Sequence, residues 1–216
     1  MKNLLRVTGT MVFAIAMIAC TDKESEMAAH KIENFTKFVD SISTVAANES
    51  AEKWEDIEAG YEMKKNEAEQ ALEQIENKVT AQENIDASTT KFDLYKTEVE
   101  KSKMKMEKEE LRKALLGEEH IGEDLTFNWV NKDNILQVYE NFVNTVQQNK
   151  DHYSREDWDE IKLLYEALDS RKNTVEKEGL TAEDNRKIAG LKIKFAPMYT
   201  VNRMGAKSEE NKEAKK

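Results

Sequence analysis

Few side chains in this chain are of kinds that do chemistry near neutral pH. Among 216 residues there is one cysteine, Cys20, and there are three histidines, His30, His120 and His152. A thiol can attack as a nucleophile, and an imidazole can move protons or bind a metal, but each needs partners at defined spacing. Helical zinc and di-iron sites use His-Glu-x-x-His or Glu-x-x-His, which place ligands on one face. None of the three histidines lies in either pattern. The stretch Asn131-Lys-Asp133-Asn begins like a calcium loop but lacks its glycine and terminal glutamate, so helix capping is the better account. Glycine-rich phosphate loops and nucleophile elbows are absent. Acids abound, at 43 Asp and Glu, and a carboxylate pair means little without a cleft. Lys101 to Lys113 alternates acids and bases at helical spacing, as in Glu109 with Lys113, and reads as a solvated face. Met104 and Met106 could serve a soft partner surface, but read better as core or boundary packing. The expectation is a chain with no catalytic residues, no metal site and no cofactor, which is not an enzyme.

Cys20 has a different use. Lys2 and Arg6 precede an uncharged, almost wholly apolar run from Met11 to Ala19, the layout of a secretory leader. A membrane-spanning helix needs about 20 apolar residues, and this run is shorter. It ends Met17-Ile-Ala19-Cys20. That ending resembles the lipobox of lipoprotein signal peptidase, with Met17 where leucine is commoner. The resemblance implies cleavage between Ala19 and Cys20 and acylation of the thiol. Acyl chains at about 0.8 kcal/mol per buried methylene make a durable anchor. A lone cysteine also excludes an internal disulfide.

The whole chain carries a net charge of −10. Loss of Lys2 and Arg6 with the leader takes it to −12. Such a surface argues against nucleic acid, which demands Lys and Arg on the phosphates. It argues equally against electrostatic adhesion to anionic lipid.

One proline and seven glycines, with 35% charged residues, favour long helices. Apolar residues recur at three, four or seven in Trp54, Ile57, Tyr61, Ala68, Ala71, Ile75, with Lys64 filling one gap, and again in Trp158, Ile161, Tyr165, Leu168, Val175. Ile85, Phe92, Tyr95, Val99, Met106 and Ile135, Val138, Phe142, Val146 form two more series. No stretch alternates with period two for long. The fold class expected is all-α, with helices near 28–47, 51–77, 81–116, 132–150, 155–177 and 182–200. Thr80 with Glu83, and Thr181 with Asp184, suit capping boxes. Ser50 and Ser154 suit N-caps, and Gly117 and Gly179 suit left-handed helix ends.

An offset of 104 maps Phe38 onto Phe142, Trp54 onto Trp158, Ile57 onto Ile161 and Tyr61 onto Tyr165. Ser50 falls on Ser154, and Phe35 on Tyr139. After a shift of three, Val79-Thr-Ala-Gln-Glu-Asn84 matches Leu180-Thr-Ala-Glu-Asp-Asn185. Shared caps and loop lengths favour duplication over the chance agreement of two amphipathic stretches. The expectation is two tandem homologous three-helix bundle repeats, with these eight residues as matched core anchors rather than an aromatic ligand groove. The divisions expected are a leader at 1–19, an acidic tether at 20–30, repeat 1 at 31–116 and an apolar joint at 117–130. Repeat 2 follows at 131–201, with a disordered charged tail at 202–216. Ile121, Leu125, Phe127 and Trp129 make the joint too apolar for a free linker, and packing between the bundles is expected of them.

The lipobox, the acids after Cys20, the Phe38-Val-Asp-Ser-Ile42 segment and the Trp-x-x-Ile-x-x-x-Tyr segments together resemble small all-helical lipoproteins of Bacteroidota that carry a domain of unknown function. The resemblance implies an outer-membrane lipoprotein, on the periplasmic face or the cell surface. An acidic stretch such as Asp22, Lys23, Glu24 and Glu26 is similar to surface-export signals of that phylum. The role expected is non-enzymatic binding of a protein or cell-wall partner. A small-molecule or metal-ion site in a cleft between the repeats is the alternative.

Overall fold

The computed structural model describes residues 14–120 and 124–213, with side chains described from Lys23 onward except at 119, 209, 210, 212 and 213. Most of the expected leader, and Ile121 of the joint, lie outside the described residues. Ala19 and Cys20 fall on helical backbone, but their side chains lie outside the described set. Every regular element among the described residues is helical, so the all-α expectation holds. Seven α-helices follow in order: α1 (Ala14–Ile42), α2 (Ala47–Ala51), α3 (Trp54–Ala71), α4 (Lys78–Leu116), α5 (Ile135–Asn149), α6 (Arg155–Lys177) and α7 (Ala182–Glu213). A 3₁₀ turn, Leu72–Gln74, closes α3.

The chain forms two compact units, Met1–Met104 and Lys105–Lys216. Their division falls inside α4, ahead of the expected joint. In the first unit, α1 buries Ala28, Ile32, Phe35 and Val39 at intervals of four, three and four. They meet Tyr61, Ala68 and Ala71 of α3 and Ala81, Ile85 and Phe92 of α4. Small residues on α3 bring α1 close; a methyl group at Gly60 would stand 3.1 Å from the Phe38 ring. Helix α1 stops where Ser43 Oγ donates to the Val39 carbonyl at 2.7 Å and Thr44 Oγ1 to the Ser41 carbonyl at 2.7 Å. Hydroxyls that take the last carbonyls remove the need for another helical turn.

The second unit has the larger core. Ile135, Tyr139, Phe142, Val143 and Val146 of α5 are wholly buried, as are Trp158, Ile161, Leu168 and Val175 of α6 and Ile188 of α7. Burying each such side chain stabilises the fold by about 1.5–3 kcal/mol. Leu111 and Leu115 at the end of α4 join this core, and so do Phe127 and Val130. The described part of the apolar joint thus packs into the second unit's own core, with Leu125 and Trp129 against the same cluster. Phe127 pays for its position with a φ of +53°. That left-handed backbone costs about 1–2 kcal/mol, against about 2–3 kcal/mol from burying the ring.

Several boundaries differ from expectation for local reasons. Helix α1 begins at Ala14 and includes the supposed tether, since residues 14–42 contain no glycine or proline. Helix α7 runs through the supposed tail to Glu213. Its last turns are rich in Ala, Lys and Glu, good helix formers, and Arg203 binds Asp159 through Nε at 2.6 Å and Nη2 at 3.1 Å. Thr80 does not cap α4, which starts two residues earlier; the Asn77 side chain accepts the Thr80 N–H at 3.3 Å instead. Ser50 is not a cap either, lying buried inside α2. Ser154 does form a capping box with Asp157. Asp184 N–H donates to Thr181 Oγ1 at 3.0 Å while that hydroxyl donates to the Asp184 carboxylate at 2.8 Å. Gly117 and Gly179 take the left-handed conformation, at φ +96° and +105°.

Candidate functional site

The matched aromatic residues assemble into a cluster within each unit. In the first, the Tyr61 ring stacks on Phe92, centroids 3.6 Å apart and 6° from parallel. In the second, Tyr165 stacks on Phe195 at 4.0 Å and 14°. Trp54 lies 6.3 Å from Tyr95, and Trp158 lies 6.0 Å from Tyr199. Phe35 approaches Tyr61 at 5.6 Å, as Tyr139 approaches Tyr165 at 6.3 Å. Even an outer contact is paired, for Lys91 donates to Asp40 and Lys194 to Asn144. Offset and tilted rings of this kind add about 0.5–1.5 kcal/mol beyond burial. Of the eight expected anchors, Phe142, Trp158, Ile161 and Tyr61 are buried, and Phe38, Trp54, Ile57 and Tyr165 are half-buried. Phe35 with Tyr139, and Phe92 close to Phe195, were also matched in the sequence; the Tyr95–Tyr199 match was missed, although the two share the offset of 104 and could have been found by it.

Polar groups inside the clusters differ between units. Tyr95 Oη donates to the Val45 carbonyl at 2.9 Å, which leaves its oxygen to accept from Ser50 Oγ at 2.5 Å. This pins the α2 turn onto α4. In the second unit the Tyr139 hydroxyl donates to Asp169 at 3.0 Å, and Lys192 donates to the same oxygen at 2.5 Å. Burial first, then the Asp169 charge, pushes the Tyr139 phenol above its ordinary range. The same two causes push Tyr165 up to about 12. Both phenols therefore stay protonated near neutral pH, and Tyr139 keeps its hydrogen bond to Asp169.

The second unit also buries an ion pair that no sequence pattern signals. Glu160 accepts from Arg112 Nε at 2.7 Å and pairs with Arg112 Nη2 at 2.6 Å, with Lys108 Nζ at 3.6 Å. It joins α6 to the end of α4 across 48 residues of chain.

The histidines stay apart. His30 Nδ1 is 3.5 Å from Glu33 on an exposed face of α1. His120 lies flat on Trp129, centroids 3.5 Å apart and 2° from parallel. His152 is exposed in the turn after α5. Among the described residues, no three His, Cys, Asp or Glu side chains converge as a metal set. The Asn131 segment is a turn: its side chain accepts the Asp133 N–H at 2.9 Å, and Asn134 accepts the Asn131 N–H at 2.8 Å. Neither caps α5 with its side chain.

Open grooves of the first unit include two lined by described residues. One, of about 390 Å³, has Ile32, Ile75 and Ala81 in its wall with Glu33, Asn77 and Asn84. The other, of about 330 Å³, is charged, with Glu52, Lys53, Glu55, Asp56 and Lys103 around Trp54. Neither brings together a nucleophile, a base and an oxyanion donor.

Among the described residues the fold is all-helical and divides into two compact units, each with an aromatic cluster in its core. Residues 146–216, about a third of the chain, match a protein family described as a domain of unknown function, DUF6565. The match takes in the end of α5 and all the described length of α6 and α7. No curated protein and no solved structure matches the chain.

Proposed function

We propose that this chain is an exported lipoprotein, acylated on Cys20 and held at the outer membrane, that acts by binding a protein or cell-wall partner and not by catalysis. Its two helical units are, in this reading, copies of one ancestral three-helix unit. The observation that carries the proposal is the pairing of the aromatic clusters. Tyr61 stacks on Phe92 as Tyr165 stacks on Phe195, and Trp54 approaches Tyr95 as Trp158 approaches Tyr199. Those rings are spent on cohesion, which leaves charged outer faces as the surface a partner would meet. With a net charge of −12 after the leader, such faces favour basic partners and salt-sensitive association.

The anchor is tested first. Cys20→Ala should leave an unprocessed chain without acyl mass, whereas the wild type should show cleavage before Cys20 and a diacylglycerol adduct by mass spectrometry. A wild type cleaved normally but carrying no lipid would refute the anchor. For binding, capture of partners from membranes by the lipidated chain should weaken as salt rises. Turnover of an envelope substrate, abolished by one acid or histidine substitution that leaves the helices intact, would overturn the non-catalytic reading.

A further inference from the structure

The outer face of α7 carries a surface that neither unit's core nor the reading above employs. Gly190, Ile193, Pro197, Val201 and Met204 recur at intervals of three, four, four and three. At 3.6 residues per turn they fall within about 80° of one another. All five are exposed, with Ile193, Val201 and Met204 keeping 77%, 66% and 69% of their accessible surface. Ala189, Ala196 and Thr200 border one side of this row, so an uncharged strip runs for about four turns in a chain that is 35% charged. Folding of a unit does not demand it. The matching outward positions of α4, at an offset of 103, are Ala87, Thr90, Leu94, Glu98 and Lys101, which are also exposed but turn polar and then charged.

The spacing is also the same read in either direction from Pro197. A two-fold contact requires one patch complementary to itself. Laying a second α7 antiparallel across the first, with the axis at Pro197, sets Ile193 against Val201 of the other copy and Met204 against Gly190. The latter pairing puts a long side chain over open space, since nothing lies within 4 Å of where a Gly190 side chain would begin. No like charges meet along the row. The exposed strip amounts to roughly 400 Å², within the range of about 300–600 Å² for the largest patch on a typical monomer, a patch that is often functional. Two copies would bury about 800–1,000 Å², below the 1,200–2,000 Å² or so of a stable dimer. That area suits a reversible pair that forms as concentration rises.

We propose that α7 is a self-association surface, through which two copies of this chain pair antiparallel about Pro197. The proposal does not rest on lipid anchoring or on the duplication. It is tested by disulfide cross-linking of the full chain in mild detergent, in a Cys20→Ala background so that each variant carries one thiol. P197C lies on the axis and is expected to cross-link. G190C and I193C alone should not, because the two copies of either position would stand about 12 Å or more apart. Mixed I193C and V201C chains should link to each other. L94C, exposed on α4, serves as the background level. A failure of P197C to exceed L94C, or equal yields at all positions, would overturn the proposal. Sedimentation of the full chain gives a second readout. Average mass should rise with concentration in the wild type and stay monomeric in the I193E/M204E variant at unchanged helicity. Undiminished association in that variant, or a strip that captures a different protein in preference to its own copy, would equally refute it.

Discussion

Both units stack a tyrosine on a phenylalanine, Tyr61 on Phe92 and Tyr165 on Phe195, and surround the stack with different chemistry. Around the Tyr61–Phe92 stack the first unit uses Phe35, and Lys65 stands where the second unit has Asp169. Around the Tyr165–Phe195 stack the second unit uses Tyr139, Asp169 and Lys192, and it adds the Arg112–Glu160 pair. Trp54 stays half-exposed beside Phe92, while Trp158 is wholly buried and its indole N–H has no partner among the described residues. Ring geometry therefore persists where the polar neighbours do not. The reason is that a stack is set by the spacing of apolar positions, whereas a buried charge is tolerated only where partners from other helices meet it, as Arg112 and Lys108 meet Glu160. The second unit should consequently be the better packed and the more sensitive to loss of a single polar group.

The largest effect should come from the tryptophans. Trp158→Ala is expected to cost about 3–5 kcal/mol, and Trp54→Ala, at a half-exposed site, about 1–2 kcal/mol. Chemical denaturation followed by circular dichroism would check this, and equal penalties would break the contrast between the units. Glu160→Ala follows at about 3 kcal/mol, since it strips a carboxylate from a buried guanidinium. Hydrogen exchange should locate that loss in α5, α6 and the end of α4 while α1 and α3 keep their protection; uniform loss would merge the units into one cooperative body.

Alkaline pH should sharpen the same comparison. Tyr165 is raised from 10.0 to about 12, and Tyr139 further, both chiefly by burial. A raised phenol contributes stability that is fully present below its unfolded value near 10 and is lost as pH climbs through the folded value. The second unit should thus destabilise from about pH 10 upward. Tyr139→Phe, which copies the first unit's Phe35, should move that alkaline transition to higher pH in a phenolate absorbance titration. An unmoved transition would assign it to another group. The smallest effect should be Arg203→Ala, at about 0.5 kcal/mol for a partly exposed pair. Its readout is fraying of α7 beyond residue 200, seen as faster amide exchange there.

Much of the helical layout was legible in the sequence, and the errors share a cause. Gly117 and Gly179 ended helices as expected, and Ser154 and Thr181 capped them, because those signals act within one turn. Ser50 looked equally like a cap by type and position. It went instead to Tyr95, 45 residues away, a partner that local spacing does not name. The charged tail was expected to be disordered on composition, yet Arg203 reaches Asp159 on α6 and the helix continues to Glu213. The apolar joint was recognised as packed, but its destination in the second unit's core rests on Phe127 holding a backbone conformation that its residue type disfavours.

The residues by themselves determined the all-helical class, the four ring positions in register at an offset of 104, and the acidic character of the surface. Each of these follows from periodicity, propensity or charge, which sum along the chain without reference to distant contacts. Only the tertiary structure decided that Arg112 meets Glu160, that Tyr139 and Lys192 share Asp169, and that the Ile193, Pro197, Val201 and Met204 row faces outward. An amphipathic pattern with apolar residues on more than one side of a helix does not say which side the core takes. Packing volume chose Ile188 and Phe195 for the inside of α7 and left the other row in solvent.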